Sequence, residues 1–204
     1  MPNNAPRFVQ IVGGSIAAYM LFCAAFVPSD GATPTKVTMF SPWTPAGTIK
    51  ANMRVVERVS GNCWTESLAT SRGDAYRCMA GNSIYDPCFA QGAHPKTVAC
   101  ANDPFSNKIA LFKLLKPLPF APTPMTQSLQ PHNQPFGIIL ADGDKCVFVT
   151  GATDAVNGDR LNYACGRDGW IIGTPSHSNG VWTAQTVQWP KKHVTTVSIA
   201  EAVF

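Results

Sequence analysis

Six cysteines (Cys63, Cys78, Cys88, Cys100, Cys146 and Cys165) follow an uncharged apolar run at residues 8–27, and these two features constrain the fold more than any others. Arg7 precedes the run and no Lys or Arg follows until Lys36, an asymmetry that keeps the N-terminus in the cytoplasm and sends the rest across a membrane. A signal peptide's apolar region runs roughly 7–15 residues and a spanning helix about 20. Residues 1–27 therefore read either as a signal peptide, with small residues for cleavage at Ala25 or Gly31, or as a single N-terminal apolar helix anchoring the chain to the cytoplasmic membrane. Either way the remainder is extracytoplasmic, secreted or anchored, and an even set of cysteines there reads as three disulfides. Zinc is the competing chemistry. The sequence offers no C-x-x-C pair, and its histidines (His94, His132, His177, His193) are scattered.

Six cysteines allow 15 connectivities, and sequence alone does not select one. Local pairing is favoured: Cys63 with Cys78, Cys88 with Cys100, Cys146 with Cys165. The first closes a loop of about 15 residues, worth roughly 3 kcal/mol in the chain-entropy treatment, and the last falls on neighbouring candidate strands. On this scheme residues 63–78 form one closed loop with its arginines and acids on a rigid tip.

Charged residues make up 14% of the chain, and 17 of its 204 residues are proline. Disorder needs high charge and few apolar groups, so this composition indicates a compact β- and loop-rich domain. Residues 28–48 read as a Pro-rich linker and 49–204 as an extracytoplasmic β-rich domain, large enough to bury roughly 70% of its unfolded surface. Residues 49–61 and 108–115 are candidate strands, separated from the last third by a crossing with six prolines at 116–135. That last third carries hairpin signals at Asp142-Gly143 and at Arg167-Asp168-Gly169, with a third across 190–193. The expected fold is mainly β: a single antiparallel sheet curling to a barrel or sandwich.

A formal net charge of +4 is spread along the chain, without the stripe that nucleic-acid binders present, so nucleic acid is not an expected partner. There is no G-x-S-x-G, H-E-x-x-H or glycine-rich phosphate loop, no cofactor is implied, and paired cysteines leave no thiolate. Chemistry is concentrated in residues 62–89. Glu66, Asp74 and Asp86 would serve a hydrolase if two of them faced each other across a cleft. Arg72 and Arg77 more naturally pair with these acids, which also accounts for the Arg72-Gly73-Asp74 triplet. Most large rings (Trp43, Trp64, Trp170, Trp182, Trp189, Tyr76, Tyr85, Tyr163) belong in a core, while a surface pair can stack on a sugar or a peptide. The candidate binding residues are thus Trp64, Glu66, Arg72, Asp74, Arg77 and Asp86, with no catalytic residue assigned.

The pattern Gly61, Cys63, Trp64, Ser67, then Arg77, Cys78, then Ile84, Asp86, Pro87, Cys88, Phe89, continued by Asp142, Gly143, Cys146 and Asn162, Tyr163, Cys165, resembles a group of exported, disulfide-containing actinobacterial proteins of unassigned function. The likeness covers most of residues 50–190 and implies a bacterial envelope setting; it implies no activity. The expectation is a non-catalytic exported domain that binds an envelope protein or glycan. Alternatives are an extracellular hydrolase using carboxylates of residues 63–88, and a structural subunit of a membrane complex.

Overall fold

The structure, a computed structural model, describes residues 33–122, 134–188 and 193–204. The apolar run expected as signal peptide or anchor lies outside the described residues, as do Trp189 and the turn expected at 190–192. Among the described residues there is no helix, and the fold is all-β.

The single sheet expected from sequence is instead two closed barrels. The first is an up-and-down series of five strands: β2 (Arg54–Glu66), β3 (Ala75–Ala80), β4 (Ser83–Phe89), β5 (Thr97–Cys100) and β6 (Lys108–Leu114), counting a short β1 (Lys36–Thr38) before them. Neighbours are antiparallel and β6 closes on β2. An odd number of alternating strands brings first and last together in the same direction, so the closing pair is parallel. β2 is long enough to serve both neighbours: residues 54–61 pair with β6, and Asn62 onward with β3. Gly61 sits at the changeover, where a Cβ would lie 2.0 Å from the main-chain oxygen of Met79 and 2.7 Å from Phe112 Cζ.

The second barrel runs through β7 (Gly137–Leu140), β8 (Lys145–Phe148), β10 (Asp159–Cys165), β11 (Gly169–Ser178), β12 (Val181–Gln188) and β13 (Val194–Val203), with a two-residue β9 (Ala155–Val156) beside β10. Six strands is an even number, and β13 returns to β7 antiparallel. Closure removes the open edges that would invite aggregation. The three expected hairpins are present as β7–β8, β10–β11 and β12–β13. Gly143 takes φ +92° and Asp168 φ +62° in the first two turns.

Within residues 28–48, read as a linker, Lys36–Thr38 form β1 and pair in parallel with β13. Thr35 Oγ1 donates to Ile199 O at 2.7 Å and accepts from Trp182 N at 2.9 Å, filling the gap where β12 stops short. Phe40 and Trp43 then join Phe89, Phe136 and Val203 in an apolar cluster shared by the two barrels. The Trp43 indole donates to Phe89 O at 3.0 Å.

All three local disulfides form: Cys63–Cys78, Cys88–Cys100 and Cys146–Cys165. Each joins residues directly opposed on adjacent antiparallel strands. The first two belong to the core of the five-stranded barrel with Tyr76, Val98 and Phe112; the third lies in the core of the second barrel with Tyr163, Ile171, Trp182 and Phe204.

Candidate functional site

The stretch 63–88 is a three-stranded part of the first barrel, and its strand faces decide what each charged residue does. Along β3, Tyr76 and Cys78 belong to the barrel core, while Arg77 and exposed Met79 lie on the opposite face. The β3–β4 register shifts between Tyr76 and Cys78, from Cys88 to Tyr85, so that Asp86 and Pro87 lie across from Arg77. The β2–β3 loop, residues 67–74, folds inward rather than projecting.

The expectation of arginines and acids on a rigid tip is therefore corrected for Arg72 and Asp74. Arg72 and Asp74 are only 7% and 9% exposed. Arg72 Nε donates to Asp74 Oδ1 at 2.8 Å and Nη2 to Oδ2 at 2.6 Å. Its Nη1 donates to the main-chain oxygens of Phe40 and Phe204, and the guanidinium lies 4.5 Å from the centre of the Phe89 ring. A charge removed from water needs such a set of partners. The Arg-Gly-Asp triplet is thus an internal brace between the loop, the segment after β1 and the end of β13.

Asp86 is the second buried acid. Its carboxylate accepts from Ser67 Oγ at 2.5 Å and Leu68 N at 3.1 Å, with Arg77 Nη1 3.8 Å away. Burial pushes its pKa above the ordinary aspartate value, against the opposing pull of the Ser67 and Leu68 hydrogen bonds and of Arg77. Arg77 also lies 5.8 Å from the centre of the Trp64 ring. Glu66, at the end of β2 opposite Tyr76, is exposed. The two arginines thus face acids, as the residue types suggested: Arg72 meets Asp74, and Arg77 meets Asp86.

The outward residues of this stretch include four large apolar side chains. Trp64, Met79, Ile84 and Leu68 are 45%, 48%, 50% and 52% exposed. Met79 and Ile84 are directly opposed across β3 and β4, Arg77 links Met79's row to Trp64, and Leu68 hangs from Asp86 through its amide. Sequence reasoning singled out Trp64 but missed Met79 and Ile84. The signal was the tight Gly81-Asn82 turn, which sets Met79 opposite Ile84, on the face away from Cys78. Among the described residues no group of three or more His, Cys, Asp or Glu is placed to hold a metal. No protein-family model, curated protein or solved structure matches this chain.

Proposed function

We propose that the chain is a non-catalytic binding domain of the extracytoplasmic side, docking an envelope protein on the outer face of β2, β3 and β4. The observation that supports this reading is how the 63–88 stretch divides: its buried acids lie against arginines, and its exposed large apolar residues are Trp64, Leu68, Met79 and Ile84. Exposed large apolar side chains on paired strands suit a protein interface. One ring among three aliphatic side chains suits a peptide surface better than a sugar, which stacks on ring faces and needs polar groups for its hydroxyls. An extracytoplasmic setting is supported by the three disulfides, which persist in oxidising compartments.

A photo-crosslinking residue placed in turn at positions 79, 84 and 198, in the native host, tests the reading. A discrete protein adduct from 79 and 84, absent from 198 on the second barrel, is the expected result. Loss of the adduct in a Trp64→Ala background would tie it to the same face. Co-sedimentation with envelope polysaccharide that Trp64→Ala abolishes, without any protein adduct, would replace the protein partner by a glycan. Equal labelling from all three positions would overturn the reading.

A further inference from the structure

A cleft of about 540 Å³ lies between the loop preceding β5 and the segment following β6, apart from the face described above. Its apolar wall is Leu114, Leu115, Leu118 and Phe120, and its charged groups are Lys96 and Lys116, with His94 also in the lining and no Asp or Glu among the described lining residues. Leu115 is 63% and Phe120 53% exposed, so two of the largest solvent-facing apolar side chains open on the same recess. The wall is anchored rather than loosely draped. Leu114 N donates to Lys96 O at 3.0 Å, Leu115 N to Gly61 O at 2.9 Å, and the Tyr76 hydroxyl to Phe120 O at 2.9 Å. Leu118 packs against the barrel core.

The volume falls within the roughly 300–1,000 Å³ of small-molecule sites, which are mostly apolar with a few placed polar groups. Here the charged side chains, Lys96 and Lys116, are both cationic. We propose that this cleft binds a free single-chain anionic amphiphile of the fatty-acid class, its acyl chain along Leu114, Leu115, Leu118 and Phe120 and its carboxylate toward Lys96 and Lys116. An anionic bilayer surface is the less suitable occupant. Adsorption to one is typically driven by clusters of about 4–8 basic residues, whereas this site is recessed and offers two lysines. The proposal is independent of the docking face on β2–β4.

Calorimetric titration of the full oxidised chain with decanoate, dodecanoate and tetradecanoate, below their micelle concentrations, tests it. One chain should bind per protein, tightening roughly tenfold for each two methylenes until the cleft is full. Dodecyltrimethylammonium should bind at least tenfold more weakly than dodecanoate. Leu115→Asp should lose at least tenfold, and the Lys96→Glu, Lys116→Glu pair should reverse the head-group preference; both alter exposed side chains and should leave the unfolding midpoint in place. If either variant fails to fold, the chain-length and head-group series on the unaltered protein still decides. Equal affinity for both head groups, no dependence on chain length, or dodecanoate binding undiminished by Leu115→Asp in a folded protein would each overturn the proposal. Binding to phosphatidylglycerol vesicles that dodecanoate does not displace would also overturn it, in favour of a membrane surface.

Discussion

Arg72 and Asp74 form a buried bidentate pair, Nε to Oδ1 at 2.8 Å and Nη2 to Oδ2 at 2.6 Å, and the third nitrogen of the same guanidinium holds main-chain oxygens from two distant segments. Removing one partner of such a pair leaves an uncompensated charge in the interior, at about 3–5 kcal/mol. Asp74→Asn, which keeps the shape, should cost at least 2 kcal/mol on the scale of that penalty, read by urea unfolding. Lys36→Ala breaks the pair with Glu201 at 3.2 Å, where the lysine side chain is 70% exposed, and should cost under about 1 kcal/mol. Comparable losses in the two variants would show that the internal brace carries no special weight.

Asp86 and Glu201 should respond to acid in opposite directions. Burial raises the Asp86 pKa, so its contribution to stability is fully present below the ordinary aspartate value and is lost as pH rises through the raised one. The Thr38 hydroxyl, 2.6 Å from Glu201, and Lys36 lower the Glu201 pKa. Its contribution is present above the ordinary glutamate value and is lost as pH falls through the lowered one. Taking the protein from pH 7 to pH 3.5, its stability should rise relative to Asp86→Asn and fall relative to Glu201→Gln. Difference curves of the same sign would refute the burial account of Asp86.

How much of this was legible in the sequence follows sequence separation. The disulfides span 15, 12 and 19 residues, and the β7–β8 turn declares itself in Asp142-Gly143, because only local chain geometry is involved. Barrel closure carries no such signal. Arg54 meets Lys108 and Ile199 meets Leu140, pairings that alternation within a strand cannot specify, so two barrels read as one sheet. β1 was hidden by the prolines around Lys36–Thr38, whose pairing is supplied wholly by β13. Arg72 reads from sequence only as a partner for nearby acids; its carbonyl partners lie 32 and 132 residues away. Trp64 reads from sequence as a candidate binding residue by type alone, since a large ring is more often core, and the Met79–Ile84 row depends on the β3–β4 register.

Two glycines separate steric from torsional cost. Gly61 has no room for a Cβ, which would strike the Met79 oxygen at 2.0 Å; since that atom is backbone, Gly61→Ala must displace β3 or β2 at about 2–3 kcal/mol or more. Gly143 has nothing within 4 Å of its Cβ but takes φ +92°, so Gly143→Val pays for torsion alone, about 1–2 kcal/mol. Denaturant midpoints check both. A Gly61→Ala protein as stable as the parent would contradict the close approach at the β2 changeover.

Tyr76 connects the barrel core to the proposed amphiphile cleft. Its ring is buried, its hydroxyl donates to Phe120 O at 2.9 Å, and its pKa is pushed up to about 12, chiefly by burial and further by Asp74 and Glu66. A tyrosine raised in the folded state contributes stability that is fully present below its unfolded value near 10 and is lost as pH rises through about 12. Tyr76→Phe removes both the hydrogen bond and the titration. At pH 8 it should cost about 1 kcal/mol, and between pH 10 and 12 that deficit should shrink, because only the parent protein has this phenol to ionise. The same variant frees the carbonyl of Phe120, so dodecanoate affinity should fall several-fold while Lys96 and Lys116 still set the head-group preference. Urea unfolding across the alkaline range and calorimetric titration at pH 8 read the two effects separately. A deficit that stays constant from pH 8 to pH 12 would show that burial does not raise the Tyr76 phenol in the folded protein.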